Sequence, residues 1–442
     1  MRIRFAHYCV LVAVVALLVV VVGCGSSDDS DPSFGESAQT AQFDGQQGSQ
    51  WVEEVLSRIE ADAVSPPVAS RILAYIGIGL YESTVDGVPR RPSLGIRVQG
   101  LDEIPPIDGD QDYDVVTMMH ATLGHLAPLL FEESESQEHL IDVAEGLLEA
   151  RYTEISSDVW TRSANRGVRI AGVISSRMAN DGYYDRRDRD FYAPDFAGGW
   201  EPVDGEEPLE PNWRHLEPFA LSQSDACRPQ PPVRFSTRQG SHFYEQAQAV
   251  VDNTAEAGSE QEEIAEFWAD DPGNTATPPG HWMEIAVQIV DDQDFDLART
   301  AELFAVLGIA GADAFISCWD EKYRSYLIRP VTYIQRHIDA DWETVIGTPP
   351  FPEYTSGHAN VSGASAAVMT ELVGEMSFED RSHEDRGLAP RSFDSFEDAA
   401  REAGQSRIYG GVHYPMANEE GLAQGRCVAE TVLDVLEPGA DQ

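Results

Sequence analysis

The sequence predicts a mainly α-helical protein, and three of its features carry that expectation. Apolar residues recur at helical spacing in most segments between Trp51 and Cys318, so each segment presents an apolar stripe. Runs of strict apolar and polar alternation closed by hairpin turns are scarce. No strand signal leads through a glycine-rich loop into a helix, which argues against the nucleotide-binding α/β folds.

Taken in order, the first element is an export signal over residues 1–23. Arg2 and Arg4 precede an apolar run that ends at Val22-Gly23-Cys24. A small residue before a cysteine at that point resembles a bacterial lipobox, which makes Cys24 the first mature residue and a site for a membrane-holding lipid. Residues 24–50, rich in Gly, Ser, Asp and Gln, read as a flexible tether. Residues 51–442 are long enough for a helical domain with a substantial core. Helical patterns are expected at Trp51 to Ala63, after Pro66-Pro67, and near 113–130, 136–153, 156–179, 260–269, 281–290 and 298–318. The Gly/Pro/Asp-rich segment 181–212 and the charged segment 378–397 are the soft points.

Composition limits the partners. The chain carries 76 acidic against 30 basic residues, a formal charge of -46. That field opposes binding to nucleic acid and suits a protein working in high salt. Lys322 is the sole lysine. Of the cysteines, Cys227, Cys318 and Cys427 lie in the domain and can form one disulfide outside the cytoplasm. No cysteine spacing suggests zinc or an iron–sulfur cluster.

Three segments carry the chemistry. In SCWDEKYRSYLIRPVTYI, Lys322 and Arg329 stand two helical turns apart, which places both cations on one face, with Pro330 as a kink or stop. Two cations on an apolar face call for an anion, and arginine and lysine suit oxyanions. In TPPFPEYTSGHANVSGASAAVM, Thr355 or Ser356 falls near the N-cap of a close-packed helix, freeing the N–H groups of Gly357 and His358 for an anion beside an imidazole. In SRIYGGVHYPMANEEG, Arg407 and His413 are six apart, so Gly410-Gly411 must redirect one of them.

Together, Lys322 to Arg329-Pro330, Thr355-Ser356-Gly357-His358, and Ser406-Arg407 to His413 resemble the vanadium-dependent haloperoxidases, within the phosphatidic-acid-phosphatase type 2 superfamily. The resemblance is concentrated in residues 319–421 and implies helical bundles packed around an oxyanion-binding site. It implies that Lys322, Arg329 and Arg407 neutralise vanadate, or phosphate at the same site, that Lys322 is also catalytic by polarising bound peroxide, and that Ser356 and the Gly357 N–H complete the cradle. His413 is then the axial vanadium ligand, or the nucleophile of a phosphatase, and His358 the acid–base residue. Trp319 and Phe351 match positions lining the halide side of the pocket in fungal chloroperoxidases. The implied substrates are halide, hydrogen peroxide and a small organic acceptor. Acid phosphatase activity and non-catalytic oxyanion binding remain open alternatives, because vanadate mimics the geometry of phosphoryl transfer. Ala417 stands at the family's Asp position, which orients the axial histidine, so either Asn418, Glu419 or Glu420 substitutes for it or the axial nitrogen is weakly held.

Overall fold

The structure, a computed structural model, describes residues 40–88, 91–203 and 205–436. Its first part runs through α1 (Gln46–Ala61), α2 (Pro66–Thr84), α3 (Val115–Leu126), α4 (Ser134–Tyr152), α5 (Ser157–Asn180) and the one-turn α6 (Tyr183–Arg186). A mostly irregular segment leads to α7 (His242–Asn253), α8 (Glu260–Phe267), α9 (Thr277–Asp292), α10 (Leu297–Ser325) and α11 (Pro330–His337). The last part holds α12 (Gly357–Val373), the antiparallel pair β1 (Phe378–Asp380) and β2 (Arg391–Phe393), α13 (Phe396–Tyr409) and α14 (Pro415–Leu436). The fold is mainly α-helical, as the apolar periodicity predicts.

Helix ends follow local chemistry. Pro66 opens α2, where a missing N–H costs nothing. The Asp296 carboxylate accepts from the Arg299 N–H at 2.9 Å and starts α10, and Ser395 starts α13 in the same way through the Asp398 N–H at 3.1 Å. α7 was not anticipated, although Phe243, Ala247 and Val250 bury one helical stripe. The charged segment 378–397 carries the strand pair, with Phe378 opposite Phe393 and Asp380 opposite Arg391.

α10 is the central helix and packs against both α2 and α12. By length and apolarity it could cross a membrane, but 94% of its apolar window is buried inside the protein, so it is a core helix. Close approach to α2 depends on Gly308, where an added Cβ would lie 2.8 Å from the Leu73 carbonyl. Gly363 does the same between α12 and α14, 2.5 Å from the Leu422 carbonyl. Halfway along α10, the buried Asp313 accepts from the N–H groups of Phe219, Ala220 and Leu221 at 2.7 to 2.8 Å, pinning the irregular segment to the core. A smaller apolar cluster joins Phe243, Tyr333, Tyr354 and Tyr414.

Two expectations about the chain ends meet the structure differently. The signal and the Cys24 lipid site lie outside the described residues. Residues 40–50, expected in the tether, belong to the domain. The Thr40 hydroxyl donates to the Thr84 carbonyl at 2.6 Å, the Gly45 N–H to the Phe295 carbonyl at 2.9 Å, and α1 begins at Gln46. This stretch is polar but small-sided, so Gly48 can seat against Thr300 and Leu297. Of the three domain cysteines, Cys227 and Cys427 are disulfide-bonded and Cys318 is free and buried.

Candidate active site

Lys322 and Arg329 do not share a helix face, contrary to the sequence expectation. α10 ends at Tyr326, whose φ of 49° turns the chain out of the helix, and Arg329 is the N-cap of α11 with Pro330 as the first residue. The residue before a proline avoids the helical region and proline favours a first turn, so Pro330 starts a helix instead of stopping one. Both cations are nonetheless buried and converge on the extended segment that leads to α12. The Lys322 ammonium donates to the carbonyls of Pro352 and Glu353 at 3.1 and 3.0 Å and to that of Thr355. Burial pushes its pKa down to about 7. Arg329 donates through Nε to the Phe351 carbonyl and through Nη1 to the Val412 carbonyl, both at 2.9 Å.

His413 faces this pair. α13 ends at Tyr409, Gly411 takes a φ of 79°, and the N–H groups of Val412 and His413 both turn back onto the Arg407 carbonyl. The imidazole is thereby set with Nε2 3.2 Å from Arg329 Nη1 and Nδ1 2.9 Å from Glu353 Oε1. Glu353 Oε1 also accepts from the Tyr414 N–H at 2.9 Å. A carboxylate oxygen accepts, so the ring proton sits on Nδ1 and the Nε2 lone pair points toward the cations. Burial, then Arg329, Lys322 and Arg407, hold His413 well below its ordinary pKa, so it is neutral. Burial raises Glu353 to about 7. Glu353 therefore does what was expected of Asn418, Glu419 or Glu420. Asn418 instead donates to the Gly404 carbonyl, and Glu420 accepts from the Gln230 N–H. The only local signal for Glu353 was a carboxylate inside the apolar, proline-rich run before Ser356.

The other side of the site comes from α12, α13 and the loop after α8. Arg407, buried in the last turn of α13, donates through Nη1 to the Trp268 carbonyl at 2.8 Å. Ser356 is the N-cap of α12, its Oγ accepting from the Ala359 N–H at 3.4 Å, and Gly357 is the first helical residue. His358 follows in that turn, hydrogen-bonded to the Ala269 backbone, with Nε2 4.0 Å from Asp270 Oδ2. Burial and then Arg407 depress its pKa well below the ordinary value. The Trp319 and Phe351 rings stand 5.0 Å apart, and Phe351 lies 4.9 Å from Lys322 Nζ and 4.8 Å from Arg329 Cζ. Trp319 is fully buried with its N–H on the Leu209 carbonyl at 3.3 Å, so it also serves as core.

Residues 302–440 match the VCPO second helical-bundle domain. A bacterial vanadium-dependent iodoperoxidase of known crystal structure superposes with a TM-score of 0.84 at 36% identity, covering 89% of this chain and 97% of that one. The chain belongs to the vanadium-dependent haloperoxidase family. Apo and holo structures of a bacterial vanadium-dependent chloroperoxidase are similar in fold, with TM-scores of 0.65 and 0.64 at 13% and 14% identity, over 90% and 92% of this chain and 98% and 99% of theirs. Vanadium chloroperoxidase from Curvularia inaequalis is 32% identical over 123 residues, a stretch of 22% of this chain and 20% of that protein.

For a haloperoxidase, the question is whether these side chains fit an oxyanion. Arg329 Nη2, Arg407 Nε and His358 Nε2 are buried and have no hydrogen-bond partner. Orphaned guanidinium donors in a protein interior are costly, and an oxyanion between them would satisfy them. The donor set therefore fits vanadate, and phosphate equally. Beside it lies a cluster that sequence spacing did not reveal. Asp270, His281 and His383 are buried with ligand atoms within 4.8 Å of one another, an arrangement consistent with metal binding. They come from the loop after α8, the N-terminal half of α9 and the segment after β1, too far apart in sequence to read as a motif.

Proposed function

We propose that this haloperoxidase uses vanadate at the Lys322, Arg329, Arg407 and His413 site to oxidise halide with hydrogen peroxide. The observation that carries the reading is the pairing of buried, unpartnered Arg329 Nη2 and Arg407 Nε with a His413 Nε2 lone pair fixed from behind by Glu353. Bound vanadate supplies a Lewis acid that activates peroxide toward halide without changing its own oxidation state. The geometry supports the following roles for the protein's own residues. Arg329 and Arg407 would neutralise the oxyanion, Ser356 Oγ and the Gly357 N–H would complete the cradle, and His413 Nε2 would hold the bound group through its lone pair. His358 Nε2 holds or delivers the proton required when halide and peroxide become hypohalous acid and water. Phe351 and Trp319 wall off water on the halide side.

Lys322 contributes charge at short range, because its ammonium protons are already directed at three carbonyls. With no ammonium proton left to sharpen the oxidant, iodide, the halide most easily oxidised, is the preferred substrate. The similar bacterial iodoperoxidase supports the same choice. Hypohalous acid then meets a small organic acceptor outside the cage. Export, with lipid on Cys24, accords with the Cys227–Cys427 disulfide, which is at home in an oxidising compartment.

The test loads the purified mature chain with vanadate and offers peroxide with iodide, bromide and chloride in turn, beside a phosphatase assay of the vanadate-free protein. Vanadate- and peroxide-dependent oxidation of iodide, abolished by His413→Ala, is the expected result. Oxidation of none of the three, with phosphate release through the same histidine in the vanadate-free form, would replace the proposal with a phosphatase.

A further inference from the structure

We propose that Asp270, His281 and His383 form a second inorganic site, for a single divalent transition-metal ion of the Zn2+ class, separate from the oxyanion cage. The donor set is two imidazole nitrogens and a carboxylate oxygen, which suits zinc and its neighbours. A carboxylate in the first coordination shell repels an oxyanion, so vanadate belongs in the arginine cage instead.

The geometry suits a cation. Asp270 Oδ1, the one oxygen that faces both rings, is 3.2 Å from His281 Nδ1 and 3.5 Å from His383 Nε2. An ion about 2.0–2.2 Å from each ligand in tetrahedral geometry spaces its ligands by roughly 3.3–3.6 Å. His383 Nε2 is buried with no hydrogen-bond partner, and a ring nitrogen aimed at the cluster needs one. The support around His281 is that of a metal ligand. Its Nε2 lies 2.8 Å from Asp380 Oδ2, while Asp380 Oδ1 accepts from the Ser382 N–H and hydroxyl at 3.0 and 2.7 Å.

Charge leads to the same conclusion. Asp270 and Asp380 are both buried, and a single imidazolium balances only one of them. A dication with two neutral rings balances both. The nearby Arg407 is directed at the Trp268 carbonyl and the cage.

Such an ion would tie together three separate segments. One of them, Trp268-Ala269-Asp270, holds Arg407 through the Trp268 carbonyl and His358 through Ala269. The metal is thus a staple beneath the acid–base residue, and Asp270, His281 and His383 are positioning residues.

The experiment strips the mature chain with a chelator and titrates Co2+ in high salt, following visible absorption and bound metal together. Expected is a single saturable Co2+ with d–d bands, displaced by an equivalent of Zn2+, and lost in His383→Gln and His383→Ala variants that still unfold cooperatively. Equal Co2+ uptake by wild type and both variants without d–d bands would overturn the proposal, leaving His281 as an imidazolium between two carboxylates. Vanadate titration of the stripped protein runs in parallel. Retained vanadate binding separates failure of this site from failure of the cage.

Discussion

His413 Nδ1 lies 2.9 Å from Glu353 Oε1, so the residue offering its Nε2 to the cage is oriented by a carboxylate from the segment before α12 and not by one on α14. Glu353→Gln keeps an acceptor for His413 and Tyr414 but removes the charge that raises His413 basicity. Vanadate affinity is expected to fall roughly 10- to 100-fold, with little change in melting temperature. Calorimetric titration of the variant checks this, and an unchanged affinity would remove Glu353 from the site.

Lys322 holds the carbonyls of Pro352, Glu353 and Thr355, and through them the approach to Ser356. Lys322→Met strands these acceptors, so it should cost roughly 2–4 kcal/mol of stability and weaken vanadate binding as well. Denaturant unfolding and vanadate titration on the same preparation measure both. A variant that loses vanadate affinity at full stability would mean that Lys322 acts on the anion alone.

The order of the cationic and imidazole residues was readable in the sequence because each sits in a short motif with its own turn chemistry. Their local backbone was less so. A spacing of seven from Lys322 to Arg329 looks like two helical turns, but α10 ends at Tyr326 and α11 begins at Pro330. Glu353 and His413 are distant in sequence, and Asp270, His281 and His383 meet only through tertiary packing, so no spacing could announce either group. The helices of the core were legible from apolar periodicity. α7 buries a regular stripe that the sequence pattern does not single out, and the polar start of α1 reads as tether because its packing relies on small side chains.

Glu82 provides a pH test remote from the cage. Burial raises its pKa to about 7 against hydrogen bonds from Ser93 and the Leu94 N–H. A carboxyl group raised in the folded state is protonated more readily there than when unfolded, so its contribution to stability falls as pH rises from about 4.5 to about 7. Glu82→Gln removes that loss. The variant should gain on wild type across this window by at most about 3 kcal/mol and run parallel to it above. A constant difference between the two from pH 4 to pH 8 would contradict the assignment.

The charge of -46 predicts strong salt dependence. Melting temperature should rise between about 0.1 M and about 3 M NaCl as screening weakens carboxylate repulsion. Calorimetric melts across that range test it, and a flat response would show that the buried core already outweighs the surface field.

The most direct measurement of the cage is calorimetric titration of the vanadate-free chain with orthovanadate in high salt, repeated with phosphate present and in Arg329→Ala and Arg407→Ala variants. The structure predicts a single vanadate per chain, competition by phosphate, and a large loss of affinity in each variant, because Arg329 Nη2 and Arg407 Nε are buried guanidinium donors without partners. Vanadate binding of undiminished affinity in both variants would contradict the account.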